Sequence, residues 1–460
     1  MAKKGPKTVF VCSECGYESP KWMGQCICGA WNSFTEEKIA DTAASASLSS
    51  KNRERRIIKP APIREIVSGE TERMDTGIGE LNRVLGGGLI KGSLTLISGE
   101  PGIGKSTILL QAAAGIARKY GRVLYVSGEE SGEQIRLRAD RIGGLSDELF
   151  LLAETELELI LDAVAEFKPT FLIIDSIQTV YSSQLTSAAG SVSQVRACTA
   201  EIMRVVKQAG IPAFIVAHVT KSGDLAGPKI VEHLVDTVLN FSGERNHGFR
   251  ILRSYKNRFG NTSEIGAFEM GSEGLREIAD LSSSFLEDAA RGVEGSVVTA
   301  VYEGSRPLLL EVQALVSPSG VGFARRSSIG FDPGRLNMII AVLEKRTGMK
   351  LMSSDVYVNV AGGIRPEGTS IDLAVATAIS SAAMGRPMAD PQTIVLGEIG
   401  LTGELRGIAQ PERIASEAAR MGFTKILMPE KNRIRWSGPK NIEIIGAKDL
   451  REAVNKVLQH

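Results

Sequence analysis

Nine consecutive residues, Gly99-Glu100-Pro101-Gly102-Ile103-Gly104-Lys105-Ser106-Thr107, carry the spacing of a phosphate-binding loop. Glycines there let the backbone approach phosphate oxygens closely. Lys105 can reach the β- and γ-phosphates, and the Ser106 hydroxyl can ligate Mg²⁺. The apolar run Ser93–Ser98 before the loop has strand length, and Ile108–Lys119 after it has helical periodicity ending at Gly121. A strand, a glycine turn and a helix N-terminus aimed at an anion make a nucleotide site. Its ligand is ATP or GTP.

Other residues have chemistry to add. The apolar strand pattern Phe171–Ile174 ends in Asp175, which suits a Mg²⁺ water shell beside the loop. Tyr125-Val-Ser-Gly ends in two carboxylates, and Glu129, with Glu130 as second choice, is the expected general base. His218 closes the strand pattern Phe214–Ala217 and either senses the γ-phosphate or makes a structural hydrogen bond. Lys256-Asn257-Arg258 follows a short strand pattern; its two cations suit charge stabilisation at a transferring phosphoryl group, supplied in trans if the site lies between subunits.

Four of the five cysteines, Cys12, Cys15, Cys26 and Cys28, form two close pairs. In a reducing compartment this is a tetrahedral Zn²⁺ pattern, with Gly16 and Gly29 at the turns of the two knuckles. The one-residue spacer of the second pair is shorter than usual. Trp22, Trp31 and Phe34 are expected to pack on the knuckles. Cys198, alone in a helical pattern, reads as a small buried hydrophobe.

These residues need elements to hold them. The chain has 460 residues, 43% hydrophobic and 23% charged, enough for several cores. A net charge of +1 announces no polyanion partner, so any nucleic-acid surface must be a local patch. No signal core and no apolar run of membrane-spanning length is present, giving a cytoplasmic expectation with no membrane partner. Residues 1–35 form the cysteine knuckle; 36–64, rich in small polar residues with the basic cluster Lys51–Arg56, read as a flexible linker. From 65 to 285, strand patterns Leu94–Ile97, Val123–Val126, Phe171–Ile174, Ala213–Ala217, Thr237–Phe241 and Arg250–Leu252 alternate with helices Ile108–Lys119, Glu154–Phe167 and Val192–Gln208. That alternation predicts an α/β fold with a largely parallel, doubly covered sheet. Residues 286–460 predict a second α/β unit without a phosphate loop, with helices opening at Asp332-Pro333 and spanning Ile371–Met384 and Arg413–Met421.

Together these motifs resemble the bacterial RadA (Sms) family of DNA repair proteins over nearly the whole chain. The likeness rests on the knuckle ending Cys28-Gly-Ala-Trp-Asn-Ser33, Thr76–Leu81, Leu85–Gly88, the phosphate loop, Gly128–Ser131, His218–Lys221 and Lys256–Gly260. The resemblance implies a RecA-like ATPase core using ATP, Mg²⁺ and Zn²⁺, a homohexameric ring, and ATP-driven movement on single-stranded or branched DNA beside a RecA-type recombinase. In that family Lys256–Gly260 would couple ATP to DNA work. The alternative is a nucleotide-switched DNA-binding scaffold that assists a recombinase without unwinding. Gly397–Gly407 and Met428–Asn432 resemble the Lon proteolytic domain, with Ser370 near its serine position. Gln410-Pro411-Glu412-Arg413 offers no lysine where the base belongs, and a guanidinium does not deprotonate, so proteolysis is not expected. The domain reads instead as an assembly and DNA-contact unit with Arg325, Arg326, Arg346 and Lys350 as phosphate contacts.

Overall fold

The computed structural model describes residues 7–12, 17–39, 72–218, 228–243, 249–287, 289–320, 323–361, 366 and 368–458. Cys15, Val219–Lys221 and residues 40–64 of the expected linker, with its basic cluster, lie outside the described residues; residues 36–39, expected to be linker, instead continue the strand Phe34–Ile39. Two compact units emerge, Met1–Glu277 and Ile278–His460. The division falls before the expected boundary at 285. Helix Leu281–Leu286 belongs to the second unit, where Ser282 Oγ donates to Glu417 Oε1 at 2.5 Å and accepts from Leu309 N at 3.2 Å.

In the cysteine-rich segment, Lys7–Cys12 pairs antiparallel with Glu18–Ser19 on one side and Phe34–Ile39 on the other. The core is minute: Cys12, Cys26 and Phe34, with Phe10 and Met23 against them. Phe34 packs as expected, but Trp22 and Trp31 do not; they are 53% and 70% exposed. So small a ribbon has no room for two indoles.

Nine strands form one sheet among the described residues. Their order is Gly274–Glu277, Ile265–Gly271, Phe249–Asn257, Thr237–Ser242, Leu94–Gly99, Ala213–His218, Phe171–Asp175, Val123–Ser127 and Leu149–Ala153. The last six run parallel, and the first three extend the sheet antiparallel. Both faces are buried. Phe171 and Ile173 enter one apolar cluster with helix Lys105–Tyr120, while Leu172 and Ile174 enter another with helices Leu157–Phe167 and Val192–Ala209. Cys198 lies fully buried in the second cluster, and burial pushes its thiol up to about 11.

Three expectations change. The helix foreseen from Glu154 starts at Leu157, because the Glu154 carboxylate accepts the Thr155 and Glu156 amides in a local turn. The edge strand Leu149–Ala153 was not foreseen. The short strand at Arg250–Leu252 runs on to Asn257, so Lys256 and Asn257 are strand residues rather than loop residues.

Among the described residues the second unit holds a seven-stranded mixed sheet ordered Arg326–Ile329, Ser354–Val360, Arg306–Pro318, Ser296–Glu303, Thr393–Val395, Lys425–Pro429 and Glu443–Ala447. Helix Pro333–Thr347 opens as read, with Asp332 Oδ1 accepting the Arg335 amide at 2.6 Å, and it buries Leu336, Ile339, Ile340 and Leu343. The other two expected helices are Asp372–Met384 and Pro411–Arg420.

Candidate nucleotide site

The loop at the end of strand Leu94–Gly99 is shaped by its glycines. Gly99 and Gly104 have φ of 153° and 117°, and a Cβ at Gly99 would lie 2.4 Å from the Phe241 carbonyl oxygen. Such a cradle of bare backbone opening helix Lys105–Tyr120 fits a polyphosphate. Lys105 is buried, and its Nζ donates to the carbonyls of Gly99 at 2.8 Å and Glu100 at 3.0 Å. Burial pulls its pKa down to about 8, against the pull of the Asp175 and Glu129 charges. Half-buried Ser106 follows at the first turn. Hydroxyl, carboxylate and glycine cradle form a donor set that fits a magnesium nucleotide.

Strand register brings the other groups to the same end of the sheet. His218 pairs with Gly99, and Ser127 pairs with Asp175. Asp175 Oδ2 accepts from the Tyr125 hydroxyl at 2.7 Å. Glu129 Oε1 accepts from Ser176 Oγ and lies 3.4 Å from His218 Nε2, whose geometry falls short of a regular hydrogen bond. His218, then Ser176 and Lys105, hold the Glu129 pKa down to about 2 against its partial burial. Glu130 turns away: Arg138 Nη2 donates to its Oε1 at 2.6 Å. The two adjacent carboxylates therefore differ in kind, Glu129 facing the loop and Glu130 tied into an ion pair. Gly128 is required between them and their strand, since a Cβ there would lie 2.1 Å from Thr179 Oγ1.

Lys256 and Arg258 do not converge on Lys105 within one chain. Lys256 pairs with Val238, which pairs with Leu96, three residues before Gly99. At ~3.3 Å per residue that is roughly 10 Å back along the sheet. Its Nζ donates to the Glu232 carbonyl at 2.8 Å, and burial lowers its pKa. Arg258 sits further back, its amide donating to the Asp236 carbonyl and its guanidinium 3.8 Å from the Asp236 carboxylate. The loop beyond is braced by Arg73, which donates to the carbonyls of Leu85, Gly88 and Phe259. A Cβ at Gly88 would lie 2.6 Å from the Met74 oxygen, so the Leu85–Gly88 run serves this close packing.

In the ribbon, Cys12, Cys26 and Cys28 bring their sulfurs within 4.8 Å of one another, with Cys12 and Cys28 at 3.9 Å. Zn–S bonds of ~2.3 Å in a tetrahedron set sulfurs about 3.8 Å apart, so the trio fits zinc. In the second unit, Ser370 precedes helix Asp372–Met384 and its carbonyl accepts the Gly397 amide. Beside it, fully buried Asp372 is bound through both oxygens by Arg335 and accepts the Ile399 amide. Arg413 lies in a helix whose first turn holds no lysine, its guanidinium 3.4 Å from Gln410 Oε1. Of the expected phosphate contacts, Arg325 and Lys350 are exposed, whereas Arg326 is engaged by Asn337 and Met352.

Known proteins divide along the same lines. Residues 61–224 match an AAA domain, 10–36 a rubredoxin metal binding domain, and 325–432 the ChlI subunit of Mg-chelatase. The chain is 51% identical over 459 residues to the DNA repair protein RadA of Halalkalibacterium halodurans and 50% identical to that of Bacillus subtilis, covering all of both proteins. This chain belongs to the RadA family. The Listeria monocytogenes RadA is likewise 48% identical across its full length. Membership brings with it an AAA-type ATPase domain, a metal-binding ribbon and a Lon-like terminal unit. Among the described residues no helix is long and apolar enough to cross a membrane.

Sequence reasoning about this RadA-family chain missed Tyr125, Ser176, Arg138 and Arg73. The first two carried a signal: a hydroxyl-bearing ring inside the apolar run Val123–Val126, and a hydroxyl directly after the strand-ending acid.

Proposed function

We propose that this chain is an ATP-driven DNA motor of the helicase or branch-migration type that processes recombination intermediates in DNA repair, working as a ring of identical copies. One observation carries the reading: one chain presents the phosphate loop and carboxylates at one end of its sheet, and its Lys256–Arg258 cations toward the other. A neighbouring copy bringing its cations to the loop would complete the site, and turnover would then be coupled to movement between copies.

In that site the amides of Gly99–Thr107 and Lys105 grip the phosphates, and Ser106 and Asp175 hold Mg²⁺, which neutralises charge on the transferring group. Glu129, ionised at any working pH, orients the attacking water. His218, 3.4 Å from Glu129 and paired in register with Gly99, would sense the γ-phosphate. Lys256 and Arg258 of the next copy stabilise the transition-state charge. Single-stranded and branched DNA are the substrates, with backbone charge giving salt-sensitive affinity. A RecA-type recombinase is the partner, the cytoplasm the setting, zinc the ribbon metal and a hexamer the assembly. The second unit serves assembly and DNA contact without proteolysis, since Gln410–Arg413 supplies no lysine at the position that would activate Ser370.

Mixing tests the composite site. Lys105→Ala and Arg258→Ala should each lose DNA-stimulated ATP turnover, and mixed rings should regain a fraction of it, because some interfaces then join an intact loop to an intact arginine. Failure of every mixture to recover would remove the trans arrangement. ATP hydrolysis and DNA binding without strand displacement would replace the motor with a nucleotide-switched scaffold.

A further inference from the structure

A buried aspartate that serves a metal with one oxygen must satisfy the other without losing its charge. An ammonium or guanidinium on the second oxygen would cancel much of the field the metal needs; a hydroxyl would not. In the first unit that second partner is Tyr125. Its hydroxyl donates to Asp175 Oδ2 at 2.7 Å, with the tyrosine 2% and the aspartate 9% exposed. The two are carried on adjacent strands locked in register, Tyr125 opposite Ile173 and Ser127 opposite Asp175, and the Gly128 amide donates to the Asp175 carbonyl at 2.9 Å.

The ring is anchored separately from the hydroxyl. It forms one wall of an apolar cavity of about 140 Å³ with Leu110, Ile135, Ala139 and Leu149. As the donor to a carboxylate, the phenol keeps its proton. The nearest cation on the same strand-and-helix segment, Arg138, is drawn off by Glu130 at 2.6 Å. The tyrosine is thus a rigid, neutral donor, and nothing else in its packing requires an oxygen.

We propose that Tyr125 is a positioning residue for the ATPase reaction: its hydroxyl fixes the Asp175 carboxylate through Oδ2 and leaves the other oxygen and the full negative charge for magnesium. The proposal rests on Asp175 being the magnesium-side carboxylate, and the test separates the two claims. Tyr125→Phe removes one oxygen and keeps the ring in its cavity. The full-length variant is compared with the parent and with Asp175→Asn for binding of a fluorescent ATP analogue in EDTA, for the Mg²⁺ concentration that half-saturates the binding signal, and for the thermal midpoint without nucleotide.

For Tyr125→Phe, half-saturating Mg²⁺ should rise about tenfold, the worth of one hydrogen bond to a charged group. Metal-free nucleotide affinity should match the parent, and the thermal midpoint should fall by no more than the loss of one buried hydrogen bond accounts for. An unchanged Mg²⁺ requirement would overturn the proposal. So would a fall in metal-free affinity in the same proportion, which would mark a general loosening of the site. Asp175→Asn should lose the Mg²⁺ response altogether; if it kept the parent's half-saturation, the assignment of Asp175 would fail first and take the Tyr125 role with it.

Discussion

Each α/β unit buries an aspartate, Asp175 in the first and Asp372 in the second, and the two are treated oppositely. Asp175 in the first unit is met by the Tyr125 hydroxyl, and its neighbour Glu129 by the Ser176 hydroxyl. Asp372 in the second is met by the Arg335 guanidinium through both oxygens. Neutral donors orient a carboxylate and leave its charge free for phosphate chemistry. A bidentate cation spends that charge on holding the fold. The pKa values follow: His218, Ser176 and Lys105 hold Glu129 low, whereas full burial raises Asp372 despite its partner. We take the first arrangement to suit ATP turnover and the second to suit holding the fold.

The contrast can be broken by substitution, most severely at the loop. Lys105→Ala should reduce ATP turnover about 10²–10³-fold while the thermal midpoint stays near the parent's, since one oriented charge is lost from the transition state. A variant with normal turnover would undo the nucleotide assignment.

In the second unit the effects should reverse. Arg335→Ala leaves Asp372 buried and unpaired, and chemical denaturation should show that unit destabilised by about 3–5 kcal/mol. A joint Arg335→Met and Asp372→Leu replacement should recover most of that loss, because an apolar pair of similar volume needs no compensation. If Arg335→Ala instead spared stability and changed turnover, the assignment of shape to this unit would be wrong.

A smaller effect belongs to Ser176→Ala. Glu129 loses one orienting donor, and kcat should fall about tenfold with KM nearly constant. A rise in KM alone would place Ser176 in binding instead.

The mildest effect is one of pH. Burial lowers the Lys105 pKa to about 8, so the free protein loses this ammonium as pH rises through about 8. Phosphate binding needs the charged form, so nucleotide affinity should weaken above pH 8 and binding should take up a proton there. The group's unfolded pKa is higher, so the depressed folded pKa favours the neutral form on folding, and its effect on stability becomes less unfavourable as pH rises from about 8 toward 10.5. Calorimetry in buffers of different ionisation heat would reveal the proton; an affinity flat from pH 7 to 9 would contradict it.

Much of this was legible because the chemistry is local in sequence. The phosphate loop and the acid closing Phe171–Asp175 each lie within one turn or strand, and of the four paired cysteines the three described, Cys12, Cys26 and Cys28, come together. What escaped depends on register between distant segments. That Lys256 falls opposite Val238 rather than near Gly99 follows from antiparallel pairing that no local spacing encodes. Tyr125 reaches Asp175 only because their strands are neighbours in the sheet, fifty residues apart in the chain. Glu129 and Glu130 are adjacent, and only Arg138, one helix later, separates their roles. The two tryptophans misled for a different reason: aromatic residues near cysteines suggest packing, but a core of Cys12, Cys26 and Phe34 cannot cover them.

The central claim is that ATP turnover drives strand movement, and strand displacement on forked and three-stranded DNA tests it most directly. The parent, Lys105→Ala and Arg258→Ala would be compared with and without ATP. The account predicts displacement by the parent only with ATP, and none by either variant despite retained DNA binding. Displacement without ATP, or displacement undiminished in Lys105→Ala, would contradict it.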